Sequence, residues 1–108
     1  MNIWVFIERV EYEFYTSTHL TEQGCLNTAI NQLMELFDIH TEDSYKEWAE
    51  YNLSQGNTEK GFEPPCYDKV QNEKQPVKEL REIYDWLSTG TWEKCEYDCE
   101  VTRTTVRG

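Results

Sequence analysis

An α+β fold is what this sequence predicts: a small antiparallel sheet of long amino- and carboxy-terminal strands covered by about three helices. Three observations predict it. Runs with strand periodicity lie at both ends of the chain, segments with helical periodicity lie between them, and turn residues mark the changes. The 108 residues suit one domain, 1–108, and four Trp, seven Tyr and four Phe give it the means to build a core.

Residues 3–16 are rich in β-branched and aromatic types and hold no Gly, Pro, Asn or Asp, so they read as strand. The alternation changes phase within the run: Ile3, Val5 and Ile7 share one parity, Val10, Tyr12 and Phe14 the other. A one-residue shift near Glu8–Arg9 points to a β-bulge in one long, bent strand, the arrangement expected here; the alternative is a tight hairpin without the usual turn residues. A helix follows over about 22–37. Thr21 is its N-cap, Glu22 lies in its first turn, and Leu20 with Cys25 occupies the positions of a hydrophobic staple. Apolar pairs then recur at Cys25/Leu26, Ala29/Ile30, Leu33/Met34 and Leu36/Phe37, forming one stripe.

A second helix starts after Thr41 or Asp43, carries Tyr45, Trp48, Ala49 and Leu53 on one face, and ends at Gly56. Residues 56–75, with Gly-Asn and Pro-Pro and few apolar groups, form a long loop. Pro76 opens a third helix at its first position, with Val77, Leu80, Ile83, Tyr84 and Leu87 at helical spacing and Gly90 closing it. From Thr91 to Val106 period two returns. Cys95, Tyr97, Cys99 and Val101 fall on one face of a long strand, antiparallel to the first; Lys94, Glu96, Asp98, Glu100 and Thr102 fall on the other.

Charge bounds the function. Against 21 Asp and Glu stand 10 Lys and Arg, a net charge of −11, which disfavours a direct grip on nucleic acid or on an anionic membrane. The apolar run Ile3–Ile7 is too short for a signal peptide or a membrane span, and the four cysteines then read as reduced thiols, so a cytoplasmic protein is expected. Cys95 and Cys99 invite a zinc reading, with Cys66, His19 or His40 as further ligands. On a strand, however, residues four apart lie about 13 Å from one another, whereas two thiolates on one zinc sit within about 4 Å. Packing is the simpler use of both, and no metal or cofactor is expected. Neither histidine sits in a nucleophile motif, and there is no phosphate loop or nucleophile elbow. A metal- or thiol-dependent enzyme stays as a third possibility.

What remains is the pattern of charge. Asp43, Glu47 and Glu50 form one acidic patch; Glu93, Glu96, Asp98 and Glu100 form another, with Trp92 as an aromatic anchor on the acidic face of the last strand and Trp86 flanking the third helix's stripe. On a strand, Glu96, Asp98 and Glu100 would stand about 6.7 Å apart, an imitation of a phosphate backbone. The same charges would also serve as a solvent coat that protects a strand from edge pairing. The run Leu20-Thr21-Glu22-Gln23-Gly24-Cys25, entering a helix after an aromatic amino-terminal strand, resembles small uncharacterised proteins of tailed bacteriophages. The acidic, aromatic character of the chain is similar to phage-encoded inhibitors of host defence of the anti-CRISPR and anti-restriction type. That resemblance implies a non-enzymatic protein which occludes a nucleic-acid site on a host complex. The expected partner is therefore a protein with a basic nucleic-acid-binding surface. A homodimeric assembly module, pairing through apolar helical faces, is the alternative.

Overall fold

The amino-terminal run folds as a hairpin, not as one bent strand. In the computed structural model, which describes residues 2–94 and 96–105, β1 (Asn2–Val10) and β2 (Glu13–His19) pair without a break from Trp4↔His19 to Val10↔Glu13. The two-residue turn between them, Glu11–Tyr12, opens with Glu11 at φ 56°, a conformation that Gly or Asn adopts more readily. No bulge exists at Glu8–Arg9. β1 is the central strand, in the order β2-β1-β3. The phase change arises at the hairpin turn: Tyr12 lies in it, and Phe14 stands opposite Arg9, so even-numbered residues of β2 share a sheet face with odd-numbered residues of β1.

β3 (Tyr97–Thr105) is antiparallel to β1, as expected, with Val10↔Tyr97 through Asn2↔Thr105 in register. It begins six residues later than the period-two pattern suggests. Thr89–Glu93 instead continue the preceding helix as a 3₁₀ turn, and Glu96, at φ 59°, redirects the chain into the strand. The Glu11 amide donates to the Glu96 carbonyl at 2.9 Å, fastening the two left-handed residues together. Cys95 and Val106, assigned above to this strand, lie outside the described residues.

Four helices sit between β2 and β3. α1 (Glu22–Leu36) is capped by Thr21, whose hydroxyl accepts from the Gly24 amide at 3.1 Å. The staple is half made: Cys25 is buried, but Leu20 stays 75% exposed. The helix ends on Asp38 at φ 56°, with the Ile39 amide donating to Met34 O at 2.8 Å and Ile39 itself buried, a Schellman closure made without glycine. α2 (Glu42–Ser54) starts in a capping box between Thr41 and Ser44.

Residues 56–75 are not a bare loop, since they contain α3 (Tyr67–Gln71) and are tied down along their length. The Tyr45 hydroxyl donates to Pro65 O at 2.5 Å, the Phe62 and Trp86 rings lie 5.1 Å apart, and buried Gln75 donates to Lys69 O and Asn72 O. α4 (Val77–Ser88) has Pro76 as its cap, one position outside the helix proper.

α1 and α4 cover one face of the sheet. Phe6 from β1, Leu26, Ala29 and Leu33 from α1, and Leu80, Ile83 and Leu87 from α4 form the centre of the core. Beside it Phe37 and Tyr45 stack against Trp48, which meets Trp86 edge-on, in an aromatic layer. Trp86, expected to flank the stripe, is only 2% exposed and donates its indole N–H to Tyr45 Oη at 3.1 Å. Gly90 is a close-approach glycine: a Cβ there would lie 2.7 Å from Trp48 Cζ2 and 3.1 Å from Phe37 Cζ. No helix among the described residues is long and apolar enough to cross a membrane.

Gly90→Ala should therefore destabilise the protein by about 1–3 kcal/mol through overpacking, read as a lower urea midpoint with an unchanged slope. Glu11→Gly should do the opposite, raising stability by about 0.5–1 kcal/mol as the left-handed strain is relieved against the added chain entropy. Thermal unfolding of the two variants side by side checks both signs.

Candidate functional site

The two acidic patches rearrange once the chain is folded. Glu96, at its positive φ, is off the strand, so the evenly spaced row Glu96-Asp98-Glu100 does not form. Asp98 is directly opposite Arg9 on β1, and its carboxylate accepts from Arg9 Nε at 3.2 Å and from Nη2, neutralising it locally. Glu100 faces Ile7 on the same open side of the sheet, beside a shallow groove lined also by Arg9, Phe14 and Asp98. Trp92 is not on the strand; it is half-exposed on the 3₁₀ turn.

That turn instead joins the other patch. The Tyr51 hydroxyl on α2 donates to the Glu93 carboxylate, bridging residues 42 positions apart. Tyr51 follows Glu47 by one helical turn, as Glu47 follows Asp43, and Glu50 lies three residues beyond Glu47. Asp43, Glu47, Glu50 and Glu93 are all exposed, and among the described residues none of them makes an ion pair. The nearby Lys46 is held by Glu42 at 2.9 Å. Two half-exposed aromatics, Tyr51 and Trp92, therefore accompany four carboxylates on one side of the molecule. The hydrogen bond to Glu93, then burial and the Glu93 charge, raise the Tyr51 pKa above its ordinary value.

Two residues that decide this arrangement went unnoticed in the sequence. Tyr51 could have been found, because its spacing from Glu47 places it on the acidic face of α2. Arg9 could not, because its pairing with Asp98 depends on strand register across most of the chain.

The described cysteines and histidines are spread through the fold. Burial pushes the Cys25 thiol up to about 11, and burial also raises Cys99, whose sulfur lies 3.4 Å from the Tyr84 hydroxyl. A thiol held protonated is a poor nucleophile. Cys66 is exposed ahead of α3, and no group of three or more His, Cys, Asp or Glu among the described residues could hold a metal ion. His40 lies 3.6 Å from Glu35, and His19 bonds Ser17 Oγ at 2.9 Å along one strand face.

No protein-family model, curated protein or solved structure matches this chain.

Thiol labelling of the native protein should modify Cys66 in a fast phase and half-buried Cys99 more slowly, with Cys25 reacting only as the chain unfolds; mass spectrometry of the labelled peptides locates each. Alkaline pH tests the same burial. An unfolded Cys25 ionises near 9 but a folded one near 11, so the fold favours the protonated thiol. Stability is fully present below pH about 9 and lost as pH rises towards about 11. Tyr84 and Tyr97, raised mainly by burial, act in the same direction. Urea midpoints should be level from neutral pH to about 9 and fall beyond it.

Proposed function

We propose that this protein is a non-enzymatic acidic binding protein that occludes a basic, nucleic-acid-binding surface on a protein partner. The observation that carries the reading is the Tyr51–Glu93 hydrogen bond, which unites Asp43, Glu47 and Glu50 of α2 with Glu93 and Trp92 of the 3₁₀ turn. Asp43 and Glu47 are separated by about 6 Å of helix rise, a spacing suited to a groove that receives phosphates. Four carboxylates that make no ion pair, beside a Lys46 already held by Glu42, leave a net negative field that steers a cationic partner, and flanking aromatics supply the area that holds it. Glu100, and Asp98 with its Arg9 partner, stand apart on the open sheet face and contribute less. The resemblance to phage inhibitors supplies the target class, a host defence complex of the CRISPR–Cas or restriction type.

The alternative, dimerisation through apolar helical faces, is less well supported by the apolar stripes of α1 and α4. Leu26 and Leu33 of α1 and Leu80 and Leu87 of α4 are fully buried within the chain.

Capture from bacterial lysate, followed by DNA competition on the captured complex, tests the proposal. Binding should fall steeply as salt is raised. Reversing Asp43, Glu47, Glu50 and Glu93 to Lys together should weaken it by tenfold or more, a loss of about 1.4 kcal/mol or greater, with an unchanged circular dichroism spectrum. Reversing Glu100 alone should have a small effect. Undiminished capture by the fourfold variant would remove this surface from the account.

A further inference from the structure

The sheet has two free edges, and they are unlike. β3 carries Asp98, Glu100 and Arg103, charges of the kind that discourage a second strand from docking. β2 reads Glu-Phe-Tyr-Thr-Ser-Thr-His, and residues 14–21 contain no Asp, Glu, Lys or Arg. Four of the eight exposed large apolar residues among those described gather around it: Tyr12 at 91%, Leu20 at 75% and Phe14 at 69%, with Tyr15 half-exposed.

The amide directions along this edge follow from one bond. Glu11 N–H donates to Glu96 O, so odd-numbered residues of β1 turn their backbone polar groups towards β3 and even-numbered ones towards β2. By the same alternation Glu13, Tyr15, Ser17 and His19 bond inward to β1. Phe14, Thr16 and Thr18 direct their N–H and C=O groups outward, with no strand beside them.

We infer that this edge pairs with β2 of a second copy of the chain, antiparallel about Thr16, joining two three-stranded sheets into one. β2 is complementary to itself in that register. Thr16 meets Thr16 of the other copy, Phe14 meets Thr18, Tyr15 meets Ser17, and Glu13 meets His19, an acid against a base. Just beyond the paired strands the same register brings Tyr12 to Leu20, the two most exposed large apolar residues among those described. Each outward residue, Phe14, Thr16 and Thr18, exchanges its N–H and C=O with the opposing strand. Although each chain carries −11, the acidic face of α2 is not on this edge, and charges more than about 8 Å apart are largely screened at physiological ionic strength. The inference goes beyond the acidic-face reading and does not rest on it.

Sedimentation and amide exchange of the full chain test it together. The wild-type protein should sediment as a dimer, with Phe14, Thr16 and Thr18 amides protected at high concentration and exchanging quickly on dilution. Tyr15 and Ser17 amides should stay protected throughout. Thr16→Lys sets two like charges against each other at the centre and should give a monomer with an unchanged circular dichroism spectrum. His19→Glu should also dissociate the pair, and adding Glu13→Lys should restore it, which separates register from folding. A wild-type monomer at millimolar concentration would overturn the inference. So would a dimer unmoved by Thr16→Lys, or outward amides protected only by an added extended peptide.

Discussion

Everything in this molecule depends on α1 being buried from two sides at once. A three-stranded sheet is too small to build a core alone, and here only one of its faces is covered. Cys25, Leu26, Ala29, Ile30, Leu33 and Met34 form a stripe wide enough to touch both the sheet and α4. A fully buried leucine contributes about 1.5–3 kcal/mol, so Leu26 and Leu33 on α1 with Leu80 and Leu87 on α4 dominate the stability of the layer. The Thr21 cap and the Asp38 closure matter because they fix where this wedge begins and ends.

The second layer is anchored differently, by aromatic contact and a few buried polar bonds. Trp48 lies between Phe37 and Trp86, at ring separations of 5.0 and 5.1 Å, and the absence of a side chain at Gly90 is what lets the 3₁₀ turn approach it. Asn52 is buried and donates to Thr89 Oγ1 at 2.7 Å, tying α2 to the same turn. The position of Glu93 and Trp92 beside α2 follows from this packing. The Tyr51–Glu93 bond is exposed and contributes little stability by itself; its importance is that it marks where two acidic segments meet.

Much of the fold was legible in the sequence. α1 ends within one residue of its expected limits, and α2 and α4 carry their apolar residues where periodicity placed them. The misses have physical causes. The hairpin was hidden because its turn uses Glu11 at positive φ where glycine or asparagine would have announced it. Gly90 looked like a helix stop but is a packing requirement, so the chain continues as a 3₁₀ turn and the last strand starts late. For the site, the acidic face of α2 could be read from helical spacing. The row on β3 could not survive Glu96 leaving the strand or Asp98 meeting Arg9, because both depend on contacts between the two ends of the chain.

Strand edges and surplus charge are linked in a way that bears on both surfaces. In a chain where 29% of residues are charged, the cheapest protection for an open edge is to place some of that charge along it. β3 follows this rule and β2 does not: from Phe14 to Thr21 the side chains are aromatic, hydroxylic, imidazole or aliphatic. Solubility cannot explain such a distribution, since a net charge of magnitude about 2–8 suffices for a small domain and the surplus here would easily have covered one more strand. Of the 21 acidic residues four lie on α2 and one on the turn beside it, while the edge strand carries no formal charge from Phe14 onward. A charged face would act on an opposite charge at a distance, whereas an unpaired strand edge would act only on a backbone that arrives in register.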